Sequence, residues 1–201
     1  LAVVDIQPDF LPGGALAIAD GDAILAPIGR LLARDLFGVC VATQDWHPQN
    51  HKSFASNHPG KSPFEKIQLH GLEQVLWPDH CVQGSRGADF HPQLQMNRVE
   101  AVFRKGMVPE IDSYSGFFDN GHRKATGLRG YLTERGVDDL FVCGLAGDYC
   151  VFYTAQDALK EGFKTTIIED ATRPISRESF ESAKQEIREN GGRIIVSAEM
   201  E

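Results

Sequence analysis

Four short apolar runs rich in β-branched residues punctuate the chain: Leu1–Ile6, Val39–Thr43, Asp139–Gly144 and Thr165–Glu169. Continuous runs of this kind, without polar alternation, are the signature of strands buried on both faces. Val99–Arg104 and Arg193–Ser197 repeat the pattern more weakly. Between the runs the period changes. Ala23–Leu36 places Ile24, Leu25, Ile28, Leu31 and Leu32 on one helical face. Ala125–Arg135, Tyr149–Glu161 and Ser179–Asn190 each run into a glycine that can cap a helix C-terminus. Strand and helix alternate, so the spacing predicts an α/β fold in one domain over 1–201. Its architecture is a three-layer α/β/α sandwich around a mostly parallel six-stranded sheet.

One stretch breaks the alternation. From Asp45 to Asp89 the chain is rich in His, Pro, Gly and Trp, without a sustained period. Trp46, Phe54, Phe64, Leu69, Leu72, Val75, Leu76 and Trp77 are apolar anchors that demand burial, which excludes a disordered linker. The stretch reads as a packed excursion leaving the C-terminal edge of the second strand, where open parallel sheets bind ligands.

Composition narrows the classes. With 20 Lys+Arg against 28 Asp+Glu the net charge is −8, and no basic face is expected, so nucleic acid is not a partner. No apolar run reaches the ~18 residues of a membrane span, and the opening segment carries no basic leader. Four cysteines without CxxC spacing (Cys40, Cys81, Cys143 and Cys150) predict free thiols in a reducing cytoplasm. Monomer and homo-oligomer both stay open.

Three strand ends each deliver one reactive group. Cys150, in GLAGDYCVFYTAQDAL, falls where a strand turns into a helix, and the positive end of a helix dipole favours thiolate. Gly144 and Gly147 allow a sharp turn that frees backbone N–H groups for an oxyanion. Asp5 follows a run of Val, where burial raises a carboxyl pKa unless a cation is near. Asp9, four residues on, fits a turn or cap aspartate better. Lys105 ends another strand. Alone, the thiol reads as a small hydrophobe and the lysine as a snorkelling side chain; if the three converge, they make an activated nucleophile. A second cluster has metal-ligand character. Asp45 and His47 share one side of an extended segment, and His51 and His80 follow. Nitrogen and oxygen donors without thiolate suit one divalent ion: zinc first, with iron(II) or manganese(II) as alternatives.

Together these motifs resemble the nicotinamidase/pyrazinamidase group of the isochorismatase-like cysteine hydrolases. VVDIQPDFLPGGAL, TQDWHPQNHKSF, WPDHCVQGSRGADFHP, FRKG, DSYSGFFD and GLAGDYCVFYTAQDAL occur in the family's order and span nearly the whole chain. The resemblance implies a catalytic triad of Asp5, Lys105 and Cys150, and metal ligands Asp45, His47 and His80, with His51 at a more variable fourth position. It also implies that Phe10 and Trp77 sandwich a pyridine ring, and that Leu145–Ala146 is a cis peptide. The N–H groups of Ala146 and Cys150 would form an oxyanion hole, with Leu145, Tyr114 and Ser115 bordering the substrate. Gly147 departs from the Thr common in relatives. The implied reaction is hydrolysis of nicotinamide, and also pyrazinamide, to the acid and ammonia through a cysteine thioester, in NAD salvage. An N-carbamoyl amidase would not need the Asp45/His47/His80 cluster. A metallohydrolase would leave Cys150 incidental, and a non-enzymatic metal- or ligand-binding module would release no ammonia.

Overall fold

In the computed structural model, which describes residues 1–200, the chain forms eight strands: β1 (Ala2–Val4), β2 (Val41–Asp45), β3 (Lys66–Leu69), β4 (Leu72–Val75), β5 (Ala101–Lys105), β6 (Asp139–Leu145), β7 (Lys164–Arg173) and β8 (Arg193–Ile195). All but β3 and β4 join one sheet in the order β5-β2-β1-β6-β7-β8, every neighbouring pair parallel. The helices are α1 (Leu25–Ala33), α2 (Leu128–Glu134), α3 (Phe152–Lys160) and α4 (Arg177–Glu189). Successive residues of central β1 enter opposite cores. Val3 packs with Ile28, Leu31 and Leu32 of α1. Ala2 and Val4 pack with Leu128, Ala155, Ala158 and Ile187 from α2, α3 and α4. The alternation of a strand thus produces the three layers.

The sequence-predicted elements are present with shifted ends. β2 runs on through Thr43 to Asp45, so Asp45 becomes a strand residue paired with Lys105. A 3-10 turn (Gly21–Ile24) precedes α1. α4 starts earlier than its apolar pattern implies, because the Ser176 side chain accepts the N–H of Ser179 and caps it. The excursion is more ordered than its composition suggests: β3 and β4 form an antiparallel hairpin. Phe64 corrects the burial expectation. It is 59% exposed and meets Trp77 edge-on at 6.1 Å between centroids. Phe54 and Leu76 are fully buried, as anchors should be.

Candidate active site

β1, β2, β5 and β6 end at the same edge of the sheet, and this edge gathers the chemistry. Lys105 closes β5 and is 2% exposed, so it does not snorkel to water. Its Nζ lies 2.8 Å from Asp5 Oδ2 and 2.5 Å from Asp45 Oδ1, and donates to Cys150 Sγ at 3.3 Å and Ser113 O at 3.1 Å. Burial opposes its charge, but the Asp45 and Asp5 carboxylates surround it and hold its pKa well above the usual value. Asp5 occupies the left-handed region (φ 50) just past β1, with Oδ1 accepting the Thr43 hydroxyl at 2.6 Å. Oδ2 forms a fully buried 2.8 Å ion pair with the ammonium. Burial raises the Asp5 pKa, against the pull of Lys105. One ligand atom each from Asp5, Asp45 and Cys150 fall within 4.8 Å of one another.

Cys150 differs from the sequence expectation. It lies in a π-helical turn, Gly147–Val151, ahead of α3, and burial pushes its thiol well above the ordinary value although Lys105 pulls it down. Burial thus opposes the thiolate that a helix start would favour. A base for its proton is at hand in Asp5, one of whose oxygens lies within 4.8 Å of it. Leu145–Ala146 is cis, as the resemblance implies.

The second cluster adjoins the first. Asp45 Oδ2 lies 3.6 Å from His47 Nε2 and 3.8 Å from His80 Nε2, and all three side chains are buried. His47 Nδ1 bonds to Gly106 O at 2.9 Å and His80 Nδ1 to Pro78 O at 2.8 Å. A carbonyl only accepts, so each Nδ1 carries the proton and each Nε2 lone pair faces inward, the arrangement of metal-ligating histidines. Gly106 fits this contact by lacking a side chain: its φ is +65, and a Cβ there would sit 2.2 Å from His47 Cε1. His51 is different. Its Nδ1 accepts the Ser53 N–H at 3.2 Å and meets Ser53 Oγ at 2.7 Å. Burial pushes its pKa down to about 4, so the ring is neutral with its proton on Nε2, which has no partner. The structure brings His51 beside His47 (ring centroids 4.5 Å), with a ligand atom of each and one of Asp112 all within 4.8 Å of one another.

Phe10, Trp77, Tyr114, Ala146 and Cys150 line a narrow cleft together with Asp45 and His80. Leu145 is fully buried behind it, and Ser115 borders a neighbouring cavity instead. Several participants escaped the sequence reading. Asp112, 3% exposed, lines the cleft and forms a second possible ligand group with His47 and His51. Gln74 of β4 donates to Asp112 Oδ2 and Tyr114 Oη, both at 3.1 Å. Gln7 holds Asp45 from both sides, donating to its carbonyl and accepting its N–H, each at 2.8 Å. Tyr149 meets Trp77 edge-on at 5.0 Å. Acid and amide residues in aperiodic loops carried no signal; only the DSYSGFFD motif pointed near Asp112.

The isochorismatase domain family matches residues 1–199. The nicotinamidase of Acinetobacter baylyi is 48% identical over 198 residues, covering 98% of this chain and 92% of that protein. Among solved structures, the yeast nicotinamidase bound to the inhibitor nicotinaldehyde superposes with a TM-score of 0.94 at 32% identity, covering 98% of each chain. The Pyrococcus horikoshii pyrazinamidase in complex with zinc gives 0.80 at 36% identity, covering 97% of each.

Proposed function

The chain belongs to the isochorismatase family, and from that membership we propose that it acts as a nicotinamidase, hydrolysing nicotinamide to nicotinic acid and ammonia in NAD salvage. The observation that carries this reading is the buried contact of Lys105 Nζ with Asp5, Cys150 and Asp45 beside a cleft lined by the aromatic side chains of Phe10, Trp77 and Tyr114. Pyrazinamide, another heteroaromatic carboxamide, is a second substrate.

Phe10 and Trp77 hold the faces of the ring, each contact contributing about 0.5–1.5 kcal/mol beyond burial. Asp45, His47 and His80 would hold one divalent ion, zinc first with iron(II) or manganese(II) as alternatives. When bound, the ion supplies a Lewis-acid anchor for the ring nitrogen, which fixes the amide against Cys150. Asp5 Oδ2 accepts the Sγ proton, and the sulfur attacks the carboxamide carbon while Lys105 keeps its charge beside the developing thiolate. Backbone N–H groups of Ala146 and Cys150 receive the oxyanion. Asp5 returns the proton to the departing nitrogen, releasing ammonia and leaving the thioester. Asp5 then takes a proton from water, which hydrolyses the thioester, and passes it to sulfur, restoring the thiol. A thiol nucleophile among free cysteines belongs in the reducing cytoplasm.

Ammonia release from nicotinamide by the purified, metal-loaded protein tests the assignment. Cys150→Ala is expected to stop it; full turnover by that variant would transfer the chemistry to a metallohydrolase mechanism, and no turnover by the parent chain would reject the amidase reading.

A further inference from the structure

Asp9 has no role in the reaction described above, yet its carboxylate leaves its own turn. It lies in the short 3-10 turn Pro8–Phe10, next to the ring contact Phe10. Its Oδ2 accepts the backbone N–H of Cys81 at 2.7 Å, from 72 residues away in sequence. Cys81 follows His80 directly and holds φ at +47, in the left-handed region that non-glycine residues rarely occupy. The space for the carboxylate is reserved: a Cβ on Gly87 would sit 2.1 Å from Asp9 Oδ2. Across this junction the rings of Phe10 and His80 are 5.4 Å apart.

We propose that Asp9 is a positioning residue that ties the Phe10 loop to the His80 segment, so that metal affinity and ring binding are set by one carboxylate. The inference rests on the reading of His80 as a metal ligand and Phe10 as a ring contact. Removing the acceptor leaves the Cys81 N–H unsatisfied and its left-handed backbone without an anchor. His80 Nε2 then loses its fixed direction toward Asp45, and Phe10 loses its floor. The proton transfers among Asp5, Lys105 and Cys150 do not pass through Asp9, so they are spared.

The test measures zinc affinity by competition with a chromophoric chelator, and KM and kcat for nicotinamide at saturating zinc. The variants are Asp9→Ala, Asp9→Asn, Gly87→Ala and His80→Ala. Asp9→Ala is expected to weaken zinc binding about 10–100-fold, the usual effect of losing an outer-shell partner. At saturating zinc it raises KM and leaves kcat near the parent value. Asp9→Asn retains an oxygen acceptor and recovers most of the affinity. Gly87→Ala, whose methyl displaces the carboxylate, reproduces Asp9→Ala and carries the test should that variant not fold. Parent-like zinc affinity in Asp9→Ala or Gly87→Ala, or no recovery in Asp9→Asn, overturns the inference. His80→Ala separates the two levels: if it binds zinc like the parent, the ligand assignment beneath the inference fails; if it loses zinc while Asp9→Ala does not, only the role of Asp9 fails.

Discussion

Asp45 and Lys105 are register partners at the C-terminal ends of adjacent strands, and Lys105 Nζ lies 2.5 Å from Asp45 Oδ1 while Asp45 Oδ2 faces His47 and His80. One carboxylate is thus divided between the ammonium beside Cys150 and the imidazoles of His47 and His80. The two halves of the chemistry cannot be altered independently at this point.

Lys105→Met leaves Asp5 and Asp45 as buried carboxylates without a cation. The metal-free variant is expected to lose about 3–5 kcal/mol of stability in urea titration. A bound divalent ion restores positive charge beside Asp45, so zinc should stabilise the variant more than the parent. Equal stabilisation of both would contradict the shared role of Asp45.

The acid limb of kcat/KM reports Asp5. Burial, opposed by Lys105, raises its pKa above the ordinary aspartate value of about 3.9. The base must be ionised to accept the thiol proton, so activity falls as pH drops through the raised value, with unit slope on a logarithmic plot. The same shift acts on stability with a definite sign. The folded state binds this proton more tightly than the unfolded chain, so the contribution of Asp5 favours folding at low pH and weakens as pH rises from the unfolded to the folded pKa. A limb at or below the ordinary aspartate value would remove Asp5 as the base.

The histidines divide by tautomer. His47→Ala and His80→Ala are expected to abolish stoichiometric metal binding, measured by elemental analysis. His51→Ala should retain one ion per chain with about 10–100-fold lower affinity, because Asp45, His47 and His80 remain. Outright loss of the ion in His51→Ala would make His51 a ligand.

Phe54 is fully buried, its ring 5.4–5.7 Å from those of His47, His80 and His51. Phe54→Ala should cost about 3–5 kcal/mol of unfolding free energy. Because the cavity opens among the imidazoles, metal affinity falls with it. Destabilisation with unchanged metal affinity would show that the histidines are held without this ring.

The alternation of layers was legible because a strand buried on both faces has no polar positions, as in β1 and in β6 beyond its first residue, Asp139. The six motifs pointed to Asp5, Lys105 and Cys150, and the strand ends bring them together. The extent of β2 was not legible: Gln44 and Asp45 have low strand propensity, and their place follows from pairing with Arg104 and Lys105. The β3–β4 hairpin was hidden by its short strands and partial exposure. Whether His51 offers a lone pair or a proton depends on the Ser53 N–H, a contact invisible in composition or spacing. Asp112 was missed for the same reason, since the Gln74 that orients it arrives from the hairpin.

Peroxide and most alkylating agents react with thiolate and not with thiol. Burial raises the pKa of Cys150, Cys40, Cys81 and Cys143 alike, so the folded chain offers such reagents little thiolate. Such an enzyme should outlast exposed-thiolate hydrolases under oxidative stress. An inhibitor directed at Cys150 must first dock as a planar ring before its electrophile meets a reactive sulfur.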